Sequence, residues 1–180
     1  MDDEDAGGTG GPFSELEPRP PTEDDLVLLC RRLNEVGAKY VVVGGFAVIQ
    51  SGLPRSTGDI DLVVATDLAN EALVFQALEV LPDQAVRELD AGDVAKHLVV
   101  RVADVVVVDL MRSASGIEYA EAATDVVIRE VQGVAIPFAS PRLLWRMKIH
   151  THREKDAGDL VFLRDYFIAL GEPTPPDDHT

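Results

Sequence analysis

Apolar and polar positions alternate along this chain with two periods, and the switches between them divide it into elements. From residue 22 the pattern is helical. Leu26, Leu29, Cys30 and Leu33 form one apolar stripe, the spacing of a helix with one buried face. Thr22 followed by Asp25 has the form of a capping box, and Gly37 is a closing residue, so a helix is predicted from there to about Val36. Lys39–Val43 is a short β-branched run, the mark of a buried strand. Gly44-Gly45 permits a tight turn into a second helix over Phe46–Ser51, which Gly52-Leu53-Pro54 breaks.

Asp59–Val64 reads as a second strand. Thr66 or Asp67 caps a helix extending to about Leu81. Pro82–Asp93 is ambiguous and fits a strand with a turn at Ala91-Gly92. His97–Val102 and Asp104–Leu110 read as two strands joined by a tight turn around Ala103-Asp104. Ile117–Ala123 suggests a short helix. Asp125–Gln132 and Val134–Phe138 resemble a small hairpin turning at Gly133. Ser140-Pro141 is a helix start, a capping serine followed by proline at the first helical position. That helix is expected to reach about Arg153, with a last one over about Lys155–Leu170. The strands come in pairs rather than in strict β-α-β alternation. The predicted class is therefore α/β (α+β): a mixed β-sheet, flanking helices, and a C-terminal helical part at about 140–170.

Charge changes the picture at the ends. The net charge is -16. Residues 1–25 hold nine acids and one base, and residues 171–180 hold three acids, which leaves -5 for residues 26–170. The composition predicts an acidic, Gly/Pro-rich disordered tail over 1–21, one domain over 22–170 and a second disordered tail over 171–180. No run of about 18 apolar residues is present, so no membrane-spanning helix is expected. The start Met1-Asp2-Asp3-Glu4-Asp5 is unlike a secretory leader. A single cysteine, Cys30, fits a reducing cytoplasmic setting and a core position.

The candidate chemistry begins with Asp59 and Asp61. Residues two apart on a strand share a face, with Cα atoms roughly 6.5–7 Å apart. Two carboxylates so placed repel unless a cation offsets them, and aspartate is a poor strand former. Asp109 closes the apolar run Val105–Val108 and is the candidate third carboxylate. Asp104, its rival, falls in a predicted turn where aspartate is common. Three such groups on adjacent strands suit two Mg²⁺ ions roughly 3.5–4 Å apart. A second cluster is basic: Arg142, Arg146, Lys148, Arg153 and Lys155 lie within fourteen residues that contain one acid, Glu154. Such contrast in an acidic protein fits a polyanion pocket, with Lys148 as the triphosphate candidate. The same bases could form a solvated face or pair with Glu154, Asp156 and Asp159. His150 and His152 diverge on a helix and make a poor metal pair.

These residues resemble a known set. Val43-Gly44-Gly45-Phe46-Ala47-Val48, then Arg55-Ser56-Thr57-Gly58-Asp59-Ile60-Asp61-Leu62, with Asp109 on a later strand, resembles the nucleotidyltransferase superfamily (the DNA polymerase β-like fold). Ser140-Pro141-Arg142-Leu143-Leu144 … Lys148 and Arg153-Glu154-Lys155-Asp156-Ala157-Gly158-Asp159-Leu160 resemble the helical segment of its small bacterial members, which include the AbiEii-type toxins. The resemblance spans about residues 22–168. It implies a nucleoside triphosphate, two Mg²⁺ ions, and transfer of a nucleoside monophosphate to a hydroxyl with release of pyrophosphate. Gly44, Gly45, Arg55, Thr57 and Lys148 would bind the nucleotide. Asp59 and Asp61 would hold both metals, and Asp109 would complete the acceptor-side metal and help deprotonate the hydroxyl. The acceptor would be a tRNA end, a protein or a small molecule, and a cognate toxin or antitoxin partner is implied. The alternative is a non-catalytic nucleotide-binding or regulatory protein on the same fold. Many members have Gly-Ser where this chain has Gly44-Gly45, which leaves Ser51, Ser56 or Thr57 to supply a hydroxyl.

Overall fold

The central strand pair is where the sequence pattern is most fully realised. In a computed structural model, described over residues 17–176, β1 (Tyr40–Val43) and β2 (Ile60–Val64) run antiparallel, with Val43 opposite Asp61. β4 (Val107–Met111) joins β2 in parallel, and the register sets Asp61 beside Asp109. β3 (Val99–Ala103) closes that side, antiparallel to β4. On the other side β8 (Val134–Ala139) pairs in parallel with β1, and β7 (Val126–Val131) is antiparallel to β8. The mixed sheet thus has the order β3-β4-β2-β1-β8-β7. The expected hairpin at Gly133 is real, but it is the outer third of the main sheet rather than a separate unit.

α1 (Glu23–Val36) carries the expected capping box between Thr22 and Asp25 and ends at Gly37 with φ +75°. It packs against α3 (Leu68–Leu78). The stripe of Leu26, Leu29, Cys30 and Leu33 is fully buried. Burial at roughly 25 cal/mol per Å² of apolar surface makes such stripes the main stabilising contribution of each helix. α2 (Gly44–Gln50) leaves β1 directly and packs on α6 (Pro141–Lys148), which in turn packs on α7 (Glu154–Ala169). The tail readings for residues 1–16 and 177–180 lie outside the described residues. Within residues 17–21, the Arg19 amide donates to the carbonyl of Val105, in the turn between β3 and β4, at 2.9 Å.

Four segments differ from the sequence expectation, each for a tertiary reason. Residues 82–93 form no strand. They contain a 3₁₀ turn at Ala85–Glu88, followed by α4 (Asp93–Lys96). Asp104 accepts from the amides of Asp83 and Ala85, each at 3.1 Å, and buried Glu71 accepts from those of Gly92 and Val94. Distant carboxylates therefore capture N–H groups that a strand ladder would need. Around Ile117 a two-residue hairpin, β5 (Ser113–Ala114) with β6 (Ile117–Glu118), precedes α5 (Tyr119–Ala122). Its turn residues Ser115 and Gly116 both have positive φ, as a type I′ turn requires. Asp59 lies just before β2 rather than within it. α6 ends at Lys148 instead of continuing to Arg153. Asp156 accepts from Thr151 at 2.6 Å and from Arg153 at 2.8 Å, and these bonds pull the chain out of helical register.

Candidate active site

The β1–α2 turn and the start of β2 are fitted to each other. Gly44 has φ +62°, and a Cβ there would overlap the Asp61 carboxylate, landing 2.7 Å from its Cγ. Only glycine satisfies both conditions. A Cβ at Gly45 would lie 2.6 Å from the Thr57 Cβ. A serine at position 45 would therefore have to displace the threonine that fills the space beside it. Ser51 is committed elsewhere, its hydroxyl donating to the Ala47 carbonyl at 2.9 Å.

Asp59, Asp61 and Asp109 meet in front of this turn. One oxygen from each can be chosen so that all lie within 4.8 Å of one another. Burial first, and then the charges of Asp59 and Asp109, push the Asp61 carboxyl up to about 7. A set of carboxylate oxygens alone is a hard donor set, suited to Mg²⁺, Mn²⁺ or Ca²⁺, and it can hold a divalent cation. Arg101, on β3 opposite Asp109, donates to Asp109 twice at 2.8 Å and lies 3.3 Å from Asp59.

The facing wall is basic and comes from the ends of α6 and α7. Lys148 is buried between two carboxylates, 2.7 Å from Asp156 and 3.0 Å from Asp159. Arg55 lies 3.0 Å from Asp159, and Arg153 lies 2.8 Å from Asp156. Lys148 lines the cavity and also fixes α6 to α7. Lys148→Met is expected to cost about 3–5 kcal/mol, because it leaves two buried carboxylates without their shared cation. Urea unfolding measures this, and a change under about 1 kcal/mol would contradict the buried network.

All eight residues singled out from the sequence (Gly44, Gly45, Arg55, Thr57, Asp59, Asp61, Asp109 and Lys148) line one cavity of about 790 Å³. Arg153 and Lys155 join them there, whereas Arg142 and Arg146 do not. Arg142 pairs with Glu172 and lies 5.8 Å from the Phe167 ring centroid, and Arg146 pairs with Glu121. Asp104 is structural, as its turn position suggested. Cys30 is buried, and burial pushes its thiol up to about 12. The sequence reading missed Arg101. The apolar members of the wall, Leu98, Val99 and Met111, were missed as well. The only signal for Arg101 was its outward place between Val100 and Val102, which means nothing until the β3–β4 register is known.

The mixed sheet with its flanking helices is a fold of the nucleotidyltransferase type. Two solved structures share it. A protein from Thermotoga maritima, provisionally classed as a nucleotidyltransferase, superposes with a TM-score of 0.51 at 18% identity, covering 80% of this chain and 91% of its own. An antigenic nucleotidyltransferase-like protein from Paracoccidioides brasiliensis superposes with a TM-score of 0.51 at 19% identity, covering 88% of this chain and 82% of its own. No protein-family model matches the sequence, and no curated protein does. Among the described residues, no helix is long and apolar enough to cross a membrane.

Proposed function

We propose that this chain is a Mg²⁺-dependent nucleotidyltransferase of the small bacterial type that includes AbiEii-like toxins. The observation that carries this reading is the convergence of three carboxylates, a glycine turn and a basic wall on one cavity. Its volume is within the range of small-molecule sites. Asp59, Asp61 and Asp109 would hold two Mg²⁺ ions, which when bound neutralise phosphate charge and polarise the reacting oxygens. The turn at Gly44-Gly45 brings bare backbone beside the carboxylates, where triphosphate oxygens can approach closely. Arg55 and Lys148, held by Asp159 and Asp156, present fixed positive charge to the phosphates. An acceptor hydroxyl oxygen then bonds to the α-phosphorus, the α–β bridging bond breaks, and pyrophosphate leaves. Asp109 receives the hydroxyl proton. The acceptor is an RNA end, a protein or a small molecule, and the biological setting is a toxin–antitoxin pair in the cytoplasm.

Thr57 fills the space that a serine at position 45 would need, and its hydroxyl donates to the Asp59 carbonyl at 3.2 Å. Gly45→Ser is expected to lower Mg-NTP affinity about tenfold or more by displacing Thr57, and Gly45→Ser with Thr57→Ala to recover most of it. Isothermal titration of Mg-NTP measures both. A single Gly45→Ser variant that binds like wild type would exclude this arrangement. The same titration tests the function. Wild type is expected to bind Mg-NTP, and the paired change Asp59→Asn, Asp61→Asn to abolish binding of the metal complex. Unaltered binding by that pair would remove the metal role.

A further inference from the structure

The guanidinium of Arg101 stands where the carboxylate cluster wants a cation. Arg101 is on β3, an edge strand, directly across from Asp109. Its Nε and one Nη donate to the two oxygens of Asp109, each at 2.8 Å, and that Nη also lies 3.3 Å from an Asp59 oxygen. One side chain thus spans two of the three candidate metal ligands, while Asp61 is left to the longer-range pull of Lys155 and Lys148. A bidentate arginine–carboxylate pair is among the stronger polar contacts and fixes the geometry of both groups.

Exposure decides which partner moves. The Arg101 side chain is 61% exposed and the Asp109 side chain 8%. Asp109 is held in the interior of the sheet, whereas the Arg101 side chain reaches it from the solvent-facing edge. A divalent ion ligated by Asp109 would face the guanidinium at close range, and like charges so placed repel strongly.

We infer that Arg101 is a displaceable counter-ion of the metal centre: it holds Asp109 and Asp59 together in the metal-free protein, and Asp109 ligates a divalent cation only when Arg101 lets go. This rests on reading Asp59, Asp61 and Asp109 as metal ligands. Arg101 is then a positioning residue that weakens metal binding in the absence of nucleotide.

The test is titration of the full chain with Mn²⁺ in the absence of nucleotide, free Mn²⁺ being read by electron paramagnetic resonance. Arg101→Gln is expected to bind Mn²⁺ roughly five- to tenfold more tightly than wild type. Arg101→Lys keeps the charge but loses the fork, and is expected to fall between the two. A merely structural role predicts the opposite sign, since losing a structural contact does not tighten a site. Equal or weaker binding by Arg101→Gln, with its thermal unfolding intact, overturns the inference. If Arg101→Gln does not fold, Arg101→Lys decides the matter, and an affinity no higher than wild type overturns it. Asp61→Asn, run in parallel, separates the two levels. Mn²⁺ binding unaffected by Asp61→Asn, or absent from every protein, removes the metal-centre reading and this inference with it. Binding lost in Asp61→Asn but not gained in Arg101→Gln removes this inference alone.

Discussion

Asp61→Asn is expected to reduce nucleotidyl transfer by at least about a thousandfold and, in the same protein, to raise the melting temperature of the metal-free form at pH 8. The two effects have one cause. Asp61 is half-buried beside Asp59 and Asp109, and its carboxyl is displaced upward to about 7 from an ordinary carboxylate value. Between pH 4 and 7 the folded state therefore binds more protons than the unfolded chain. Stability falls as pH rises through this window, and above pH 7 the destabilisation is present in full. At roughly 1.4 kcal/mol per unit of displacement, the metal-free wild type is expected to lose on the order of 2–4 kcal/mol between pH 5 and 8. Asn at position 61 removes that loss because it carries no charge at any pH. Asp25 and Asp156, held near 2 by their partners, act in the opposite direction at a lower pH, where their contribution disappears as they protonate. Calorimetry in EDTA at pH 5 and 8 reads the difference. A wild type no less stable at pH 8, or a variant that gains nothing there, would show that the three charges are not in conflict.

Gly44→Ala is expected to be the most damaging single change that removes no functional group. The left-handed backbone at φ +62° costs a side-chain-bearing residue roughly 1–2 kcal/mol. The added methyl must also displace the Asp61 carboxylate or the β1–α2 turn. A fall of about 2–4 kcal/mol in unfolding free energy is expected, together with loss of Mg-NTP binding. Gly58→Ala is the control, since a Cβ there meets nothing within 4 Å and its φ is not in the left-handed region. It is expected to leave the unfolding free energy within experimental error, although Gly58 lines the same cavity. Equal behaviour of the two variants, by urea denaturation and by titration, would contradict the close fit between the turn and Asp61.

The sequence exposed those parts of the fold whose causes are local. The capping box of Thr22 and Asp25, the closure at Gly37 and the start at Ser140-Pro141 are settled within a few residues, and all three lie where expected. The spacing that pointed to Asp59 and Asp61 as a pair is local too, although Asp59 lies just before β2, and Asp109 stood out because it ends a run of four valines. Residues 82–93 were ambiguous because their conformation is imposed by Asp104 and Glu71 from elsewhere in the chain. Lys148 was visible as a base, with Asp156 and Asp159 among its candidate partners, but the choice of those two over Glu154 follows only from how α6 and α7 meet. Arg101 was invisible for the same reason. Its importance comes from the β3–β4 register, and alternating β-branched sequence specifies register only through the finished sheet.

The most direct measurement supplies the purified chain with a nucleoside triphosphate labelled at either the α- or the γ-phosphate, with Mg²⁺ and total cell extract, and follows the label. The proposed function predicts that α-label becomes attached to an acceptor, that γ-label leaves as pyrophosphate, and that Asp59→Asn with Asp61→Asn abolishes both. Its position on RNA, protein or a small molecule identifies the acceptor class. Transfer of γ-label, or no transfer from any of the four nucleotides, would contradict the account and leave a protein that binds nucleotides without transferring them.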